Sequence, residues 1–297
     1  MSSDQASLDF KCWTIGKAKI TRVLELPPLT ADPALFIKTN QQAIRDRKEW
    51  LCPDFADEEG NIILHFQAFV IEASGKRILV DPCIGNDKQR NHEFFTGLDG
   101  PFLEHLAQAG YPRESMDYVL CTHLHLDHCG WNTMLVDGKW VPTFPNARYL
   151  FAAAEYEHLL QDDHEDAADV LEDSVKPIVE AGLAEFVGSD HIIVDEVRLR
   201  STHGHTPGHC SVVISSEGQE AVITGDVIHH PVQVAIPDVS DNFCWNEEMA
   251  HNTRRQLLGD VANRGALLLG SHFSGPTGIY LEPDGNVWQL RKSDGRT

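Results

Sequence analysis

Positive charge is scarce in this 297-residue chain: 24 Lys and Arg stand against 45 Asp and Glu, for a net charge of −21. No Lys/Arg-rich run relieves the imbalance, and a chain this acidic repels polyphosphate backbones, so nucleic acid is not an expected partner. Long apolar runs are also missing. No stretch approaches the ~20 residues that cross a bilayer, so no membrane span is expected. The polar start Met1-Ser2-Ser3-Asp4-Gln5 lacks the apolar segment of a signal peptide. The seven cysteines (Cys12, Cys52, Cys83, Cys121, Cys129, Cys210 and Cys244) are scattered, odd in number and never spaced Cys-x-x-Cys. They read as reduced thiols of a cytoplasmic protein. No period of about 20–50 residues recurs, which excludes repeat architectures.

What is present fits a soluble enzyme: 42% of residues are hydrophobic, and the length suffices for one large core. Residues 10–26 alternate as a hairpin turning at Gly16-Lys17. Residues 27–61, with Pro27, Pro28, Pro33 and Pro53 and a short helical candidate over 40–50, form an excursion: a lid over a site or a plain peripheral loop. Strands are predicted over 62–72 and 77–80, around a turn at Ser74-Gly75, and an amphipathic helix over 100–110. A strand over 147–151 precedes a helix over 152–160. In 161–182 the acidic run Asp162-Asp163-His164-Glu165-Asp166 reads as the wet face of a helix whose dry face carries Ala167, Val170 and Leu171. Strands follow at 192–194, 197–201, 211–214 and 221–224, then a helix over 246–264, a strand over 266–269 and a closing hairpin. Strands and helices in two successive blocks favour an α/β layered domain with two sheets.

The chemistry concentrates in Thr122-His123-Leu124-His125-Leu126-Asp127-His128-Cys129-Gly130, directly after the apolar run 118–121. In an extended segment side chains alternate, so His123 and His125 emerge on one side. Imidazole is the commonest metal ligand, and carboxylate partners divalent cations. Cys121 and Cys129 flank the cluster as support or core. Three further segments put ligand-type residues after apolar strands: Thr202-His203-Gly204-His205-Thr206-Pro207-Gly208-His209, Thr224-Gly225-Asp226, and Gly270-Ser271-His272. Asp81, after the strand over 77–80, reads either as a support for metal ligands or as a turn aspartate.

The order His-x-His-x-Asp-His, Gly-His-Thr-Pro-Gly-His, Gly-Asp and a late His resembles the metallo-β-lactamase superfamily of hydrolases, from the Asp81 loop to His272. The resemblance implies a single domain over 1–297. Its fold would be a four-layer αβ/βα sandwich of two mixed β-sheets with helices outside. It also implies two divalent ions per chain, zinc foremost, with manganese, iron or cobalt as alternatives. His123, His125 and His205 would hold one ion. Asp127, His128 and His272 would hold the other, with Asp226 bridging and His209 in support. His203 has no assigned role. A hydroxide shared by the two ions would attack a carbonyl carbon or phosphorus, and Asp127 would relay a proton.

Lactonases of this superfamily carry a tyrosine three positions after the bridging aspartate, where this chain has His229. The Gly-Asp-x-Ile-His run looks closer to the organophosphate-hydrolase-like branch, with His229 either protonating a leaving group or packing. Phe94, Phe95, Trp131, Phe243, Trp245 and Phe273 are candidates for an apolar substrate wall. The expectation is a dinuclear hydrolase of a small neutral or apolar ester, lactone or phosphotriester. The alternatives are a glyoxalase-II-like thioesterase and a mononuclear iron persulfide dioxygenase on the same scaffold. The partner is a small-molecule substrate, and a homodimer is left open.

Overall fold

The computed structural model describes residues 10–163 and 166–292. The first half opens with a hairpin of β1 (Cys12–Ile15) and β2 (Ala18–Leu24). β3 (Leu29–Ala31) then pairs with β4 (Ile62–Leu64), with α1 (Gln41–Arg45) and α2 (Lys48–Leu51) between them. β5 (Gln67–Ala73) and β6 (Lys76–Val80) make a second hairpin, and α3 (Phe102–Gln108) leads to β7 (Tyr118–Leu120). A one-turn α4 (Leu126–Cys129), the hairpin of β8 (Thr133–Val136) and β9 (Lys139–Pro142), β10 (Arg148–Ala152) and α5 (Ala153–Leu159) follow. The half closes with α6 (Ala167–Val170), a π-helical turn at Leu171–Val175, α7 (Lys176–Glu180) and β11 (Ala184–Val187). The second half comprises β12 (Ile192–Val194), β13 (Val197–Ser201), β14 (Cys210–Ser216), β15 (Gln219–Ile223), α8 (Val232–Ala235), α9 (Glu247–Arg264), β16 (Leu267–Leu269), β17 (Gly278–Asp284) and β18 (Val287–Lys292).

These strands form two mixed seven-stranded sheets, ordered β1-β2-β5-β6-β7-β10-β11 and β12-β13-β14-β15-β16-β17-β18. The alternation of side chains assigns the layers. In β5, Phe69 and Ile71 enter the core between the sheets, and Ala68 and Val70 enter the core under α3. In β14 and β15, Val212, Ile214, Ala221 and Ile223 meet the first sheet, and Val213 and Val222 pack beneath α9. Strands covered on both faces read as continuous apolar runs, as β5 does. Each such side chain contributes roughly 1.5–3 kcal/mol on burial. Helix, sheet, sheet, helix is the four-layer α/β sandwich the resemblance implied.

The structure departs from the sequence expectation in three respects. The strand predicted over 62–72 is broken at His65-Phe66, and β4 turns away to pair with β3. The break arises because His65 is bonded elsewhere: its N–H donates to the His272 carbonyl at 3.1 Å, and its own carbonyl accepts from His272 Nδ1 at 3.0 Å. The acidic run at 162–166 is not the wet face of a helix. Its described residues precede α6, and Asp166 is buried, accepting the Asn91 N–H at 3.0 Å; His164 and Glu165 lie outside the described residues. Finally, β8, β9, β11 and α8 had no counterpart in the sequence reading. Each is no longer than four residues, too short for a periodic signal. No helix among the described residues is long and apolar enough to cross a membrane.

Candidate metal centre

β13, β15 and β16 run in the same direction within their sheet, so the loops after them leave at one edge. That edge faces the loop after β7, which carries His123 to His128. Two glycines allow the close packing this needs. A Cβ on Gly130 would lie 1.7 Å from the Ile84 carbonyl oxygen. Gly225, at φ +57°, would put one 2.6 Å from His209 Nε2; without it, the Asp226 N–H donates to that nitrogen at 2.9 Å.

The loops bring together all seven residues expected to hold ions. Donor atoms of His123, His125 and His205 lie within 4.8 Å of one another, as do those of Asp127, His128 and His272. Asp226 stands between the sets. Its Oδ2 is 3.7 Å from both His123 Nε2 and His205 Nε2. Its Oδ1 is 3.2 Å from both His128 Nε2 and His272 Nε2. His123 Nε2 and Asp226 Oδ1 are buried and have no hydrogen-bond partner. Buried polar atoms left so are costly unless something pairs with them. Two cations meet that need, so the residues fit a dinuclear centre with Asp226 as the shared ligand.

The surrounding groups hold the ligands in place. Asp81 accepts from the Thr122 N–H and Oγ1 at 2.7 and 2.9 Å and faces His128 Nδ1 at 3.0 Å. His209 accepts the Asp226 N–H at Nε2, so its Nδ1 carries the proton donated to Thr202 Oγ1 at 2.8 Å. His209 is therefore a prop of the Asp226 loop. His203 lies outside the cluster, with Nε2 3.1 Å from Ser189 Oγ.

Residues 67–285 match the profile of the Metallo-beta-lactamase superfamily. The chain belongs to that superfamily. It is 28% identical over 178 residues to an N-acyl homoserine lactonase of Bacillus cereus, covering 55% of this chain and 64% of the relative. The match thus spans under two thirds of that relative's length. Two solved structures share the fold. One is the hydrolase AbOPH in the beta lactamase superfamily (TM-score 0.77, 24% identity, 96% of this chain and 97% of that one). The other is AidC, a dizinc quorum-quenching lactonase in complex with a product (TM-score 0.78, 19% identity, 96% and 97%).

Two carboxylates missed in the sequence complete this metallo-β-lactamase-type centre. Glu155, the third residue of α5, is buried. Its Oε1 accepts the Leu124 N–H at 3.1 Å, and its Oε2 accepts Thr206 Oγ1 at 2.7 Å and the Gly208 N–H at 2.9 Å. It thus ties the His123–His125 loop to the His205 loop. Asp241 is fully buried with Oδ1 3.2 Å from His205 Nδ1. Neither sits in a motif, so only the fold reveals them.

Electrostatics sort the imidazoles. Burial, reinforced by the neighbouring His128 and His125, pushes His123 well below the ordinary histidine range. Burial and His205 do the same to His125 and to His209. For His128 burial acts in the same direction, but Asp226, Asp127 and Asp81 outweigh it and hold its pKa well above normal. Burial opposes the ionisation of Asp226, yet His128, His229 and His272 hold it well below the usual carboxylate range. His123 and His125 are thus neutral imidazoles, the form that can bind a cation, whereas His128 holds a proton between Asp226, Asp127 and Asp81. Burial raises the Cys121 and Cys129 thiols, and neither joins the clustered donor groups found among the described residues.

The centre forms the floor of a cavity of about 460 Å³. Phe94, Phe95 and Phe243 line it, as do Leu29, Leu35 and Phe36 from the 27–61 excursion. The other three aromatic candidates are elsewhere. Trp131 stacks on Phe102 at 5.6 Å and donates its Nε1–H to Glu25. Phe273 packs edge-on against Phe55 in the core. Trp245 is 52% exposed and lies outside the lining. Nearness in sequence to a motif did not make these side chains face it. His229 does reach the cavity, with Nε2 3.1 Å from Asp226 Oδ2 and its ring stacked on His272.

Proposed function

We propose that this chain is a dinuclear metal-dependent hydrolase of small, neutral, largely apolar esters or lactones, with phosphotriesters as secondary substrates. The observation that carries the reading is Asp226, whose two oxygens face separate histidine sets at the floor of an apolar cavity. His123, His125 and His205 would hold one ion, Asp127, His128 and His272 the other. Divalent ions held there supply a water of lowered pKa as nucleophile and a positive contact for the electrophilic oxygen.

The chain's own residues do the rest. The aromatic and aliphatic walls exclude water and seat the apolar part of the substrate. Asp127, half-buried at the cavity floor, takes up a proton from the attacking water, and His229 protonates the leaving oxygen. Among the described residues, no Lys or Arg lines the cavity. An anionic thiol substrate would find no basic side chain there to hold its charged groups away from the ions, which weighs against the thioesterase reading. All seven cysteines are free thiols, which supports a reducing, cytoplasmic setting.

The test is metal analysis followed by a panel of lactones, aryl esters, phosphotriesters and thioesters. The reading expects hydrolysis of neutral lactones or esters by protein carrying two ions. One iron per chain with thiol-dependent oxygen uptake, or an ion-loaded protein inert across the panel, would overturn it.

A further inference from the structure

The loop between α8 and α9 carries a carboxylate that lies between two imidazoles, two residues before the cavity-lining Phe243. Asp241 is fully buried, and its Oδ1 accepts the Phe243 N–H at 2.9 Å while lying 3.2 Å from His205 Nδ1. Its Oδ2 lies 3.8 Å from His229 Nδ1, and these two buried atoms, like His205 Nδ1, make no hydrogen bond among the described residues. A shift of under an ångström would join them.

The loop itself is firmly held. Arg254, fully buried on α9, donates from Nε to the Val227 carbonyl at 2.6 Å. Its Nη1 donates to the Pro237 and Val239 carbonyls at 2.7 and 2.8 Å. On the other side, the loop is stitched to the excursion: Lys38 N–H donates to Ser240 at 2.7 Å and Asn242 N–H to Phe36 at 3.0 Å. A bridge pairs Ile37 with Asp241. Phe36 and Phe243, one on each side of this seam, line the cavity.

We propose that Asp241 is a positioning residue shared by His205 and His229. It fixes the His205 ring with Nδ1–H inward and Nε2 toward the ion, and it holds His229 over the cavity floor. A carboxylate behind a ligand histidine sets its tautomer and raises its basicity, and removing it typically weakens metal binding 10–100-fold. Here the same carboxylate also orients the imidazole assigned to the leaving group, and its backbone pairs with Ile37 beside the cavity-lining Phe36 and Phe243. The proposal rests on the reading that these histidines hold ions. It does not depend on which ester or lactone is cleaved.

The test uses Asp241→Asn, with Asp238→Asn as a control on the same loop, whose exposed carboxylate pairs with Arg255. In a chelator challenge, which needs no substrate, Asp241→Asn should release one of its two ions about 10–100-fold more readily and keep the other. With ions in excess, kcat should fall at unchanged KM, and fall further for leaving groups of higher pKa. Asp238→Asn should match the wild type in both. Should Asp241→Asn not fold, ring ¹⁵N NMR of the zinc-loaded wild type decides: His205 and His229 should both carry hydrogen-bonded Nδ1–H protons. Wild-type ion retention with an unchanged leaving-group dependence, or a His229 Nδ1 without a proton, overturns the proposal. Failure of the substrate panel alongside the expected chelator result would count against the hydrolase reading and leave the positioning role standing.

Discussion

At the scale of single residues, the histidines divide into those whose donor atoms cluster around Asp226 and those that hold the fold, and their neighbours tell them apart. His230 is next in sequence to His229 but belongs to the second group. Its Nδ1 accepts the Val232 N–H at 3.1 Å and its Nε2–H donates to the Phe55 carbonyl at 2.8 Å, so the ring is held neutral. Burial lowers its pKa from 6.5 to about 4. A folded pKa below the unfolded one means this stabilisation is complete above pH 6.5 and lost as pH falls toward 4. The shift corresponds to about 3 kcal/mol. His230→Gln keeps one acceptor and one donor without a titrating proton. In urea unfolding of the ion-stripped protein, its stability should fall by about 3 kcal/mol less than that of the wild type between pH 7 and 4. Parallel curves would refute the assignment. The residues assigned to the ions stood out in the sequence because that chemistry demands particular residue types at strand ends, and the structure brings them together. The supports Glu155 and Asp241 were not, because a lone carboxylate is everywhere in a chain with 45 of them.

At the scale of elements, the site depends on short connections that leave little trace in the sequence. α5 has only seven residues, yet Glu155 on its first turn accepts three donors from two ligand loops. Glu155→Gln would set an amide N–H₂ against at least one of those donors. Leaving a buried donor unpaired costs about 1–3 kcal/mol. The expected outcome is a lower denaturant midpoint together with weaker retention of the ion assigned to His125 and His205. A lower midpoint with wild-type retention would make Glu155 a stabiliser of the fold alone. The long elements were readable: α9 begins after Asn246, whose Oδ1 accepts the Met249 N–H, and stops at the left-handed Gly265. Residues 27–61 were not, since nothing in their prolines distinguishes a peripheral loop from a cavity wall. The pairing of β3 with β4 decides where Leu29 and Ala31 point.

At the scale of the whole molecule, two halves of the chain contribute one sheet each and meet at a single polar edge. The first half brings His123, His125, Asp127 and His128; the second brings His205, Asp226 and His272. The order of these motifs along the sequence made the four-layer arrangement legible through the resemblance to the metallo-β-lactamase superfamily, which implied that fold. What sequence could not convey was the direction of side chains beside the motifs, and so Trp131, Trp245 and Phe273 were misplaced on the substrate wall. The account rests on Asp226 being shared between two ions. The most direct test is the metal content of wild type and Asp226→Ala after exhaustive dialysis, measured by mass spectrometry. Two ions per wild-type chain, and fewer than one in the variant with its fold intact by circular dichroism, is the predicted result. An Asp226→Ala protein that keeps both ions would contradict it.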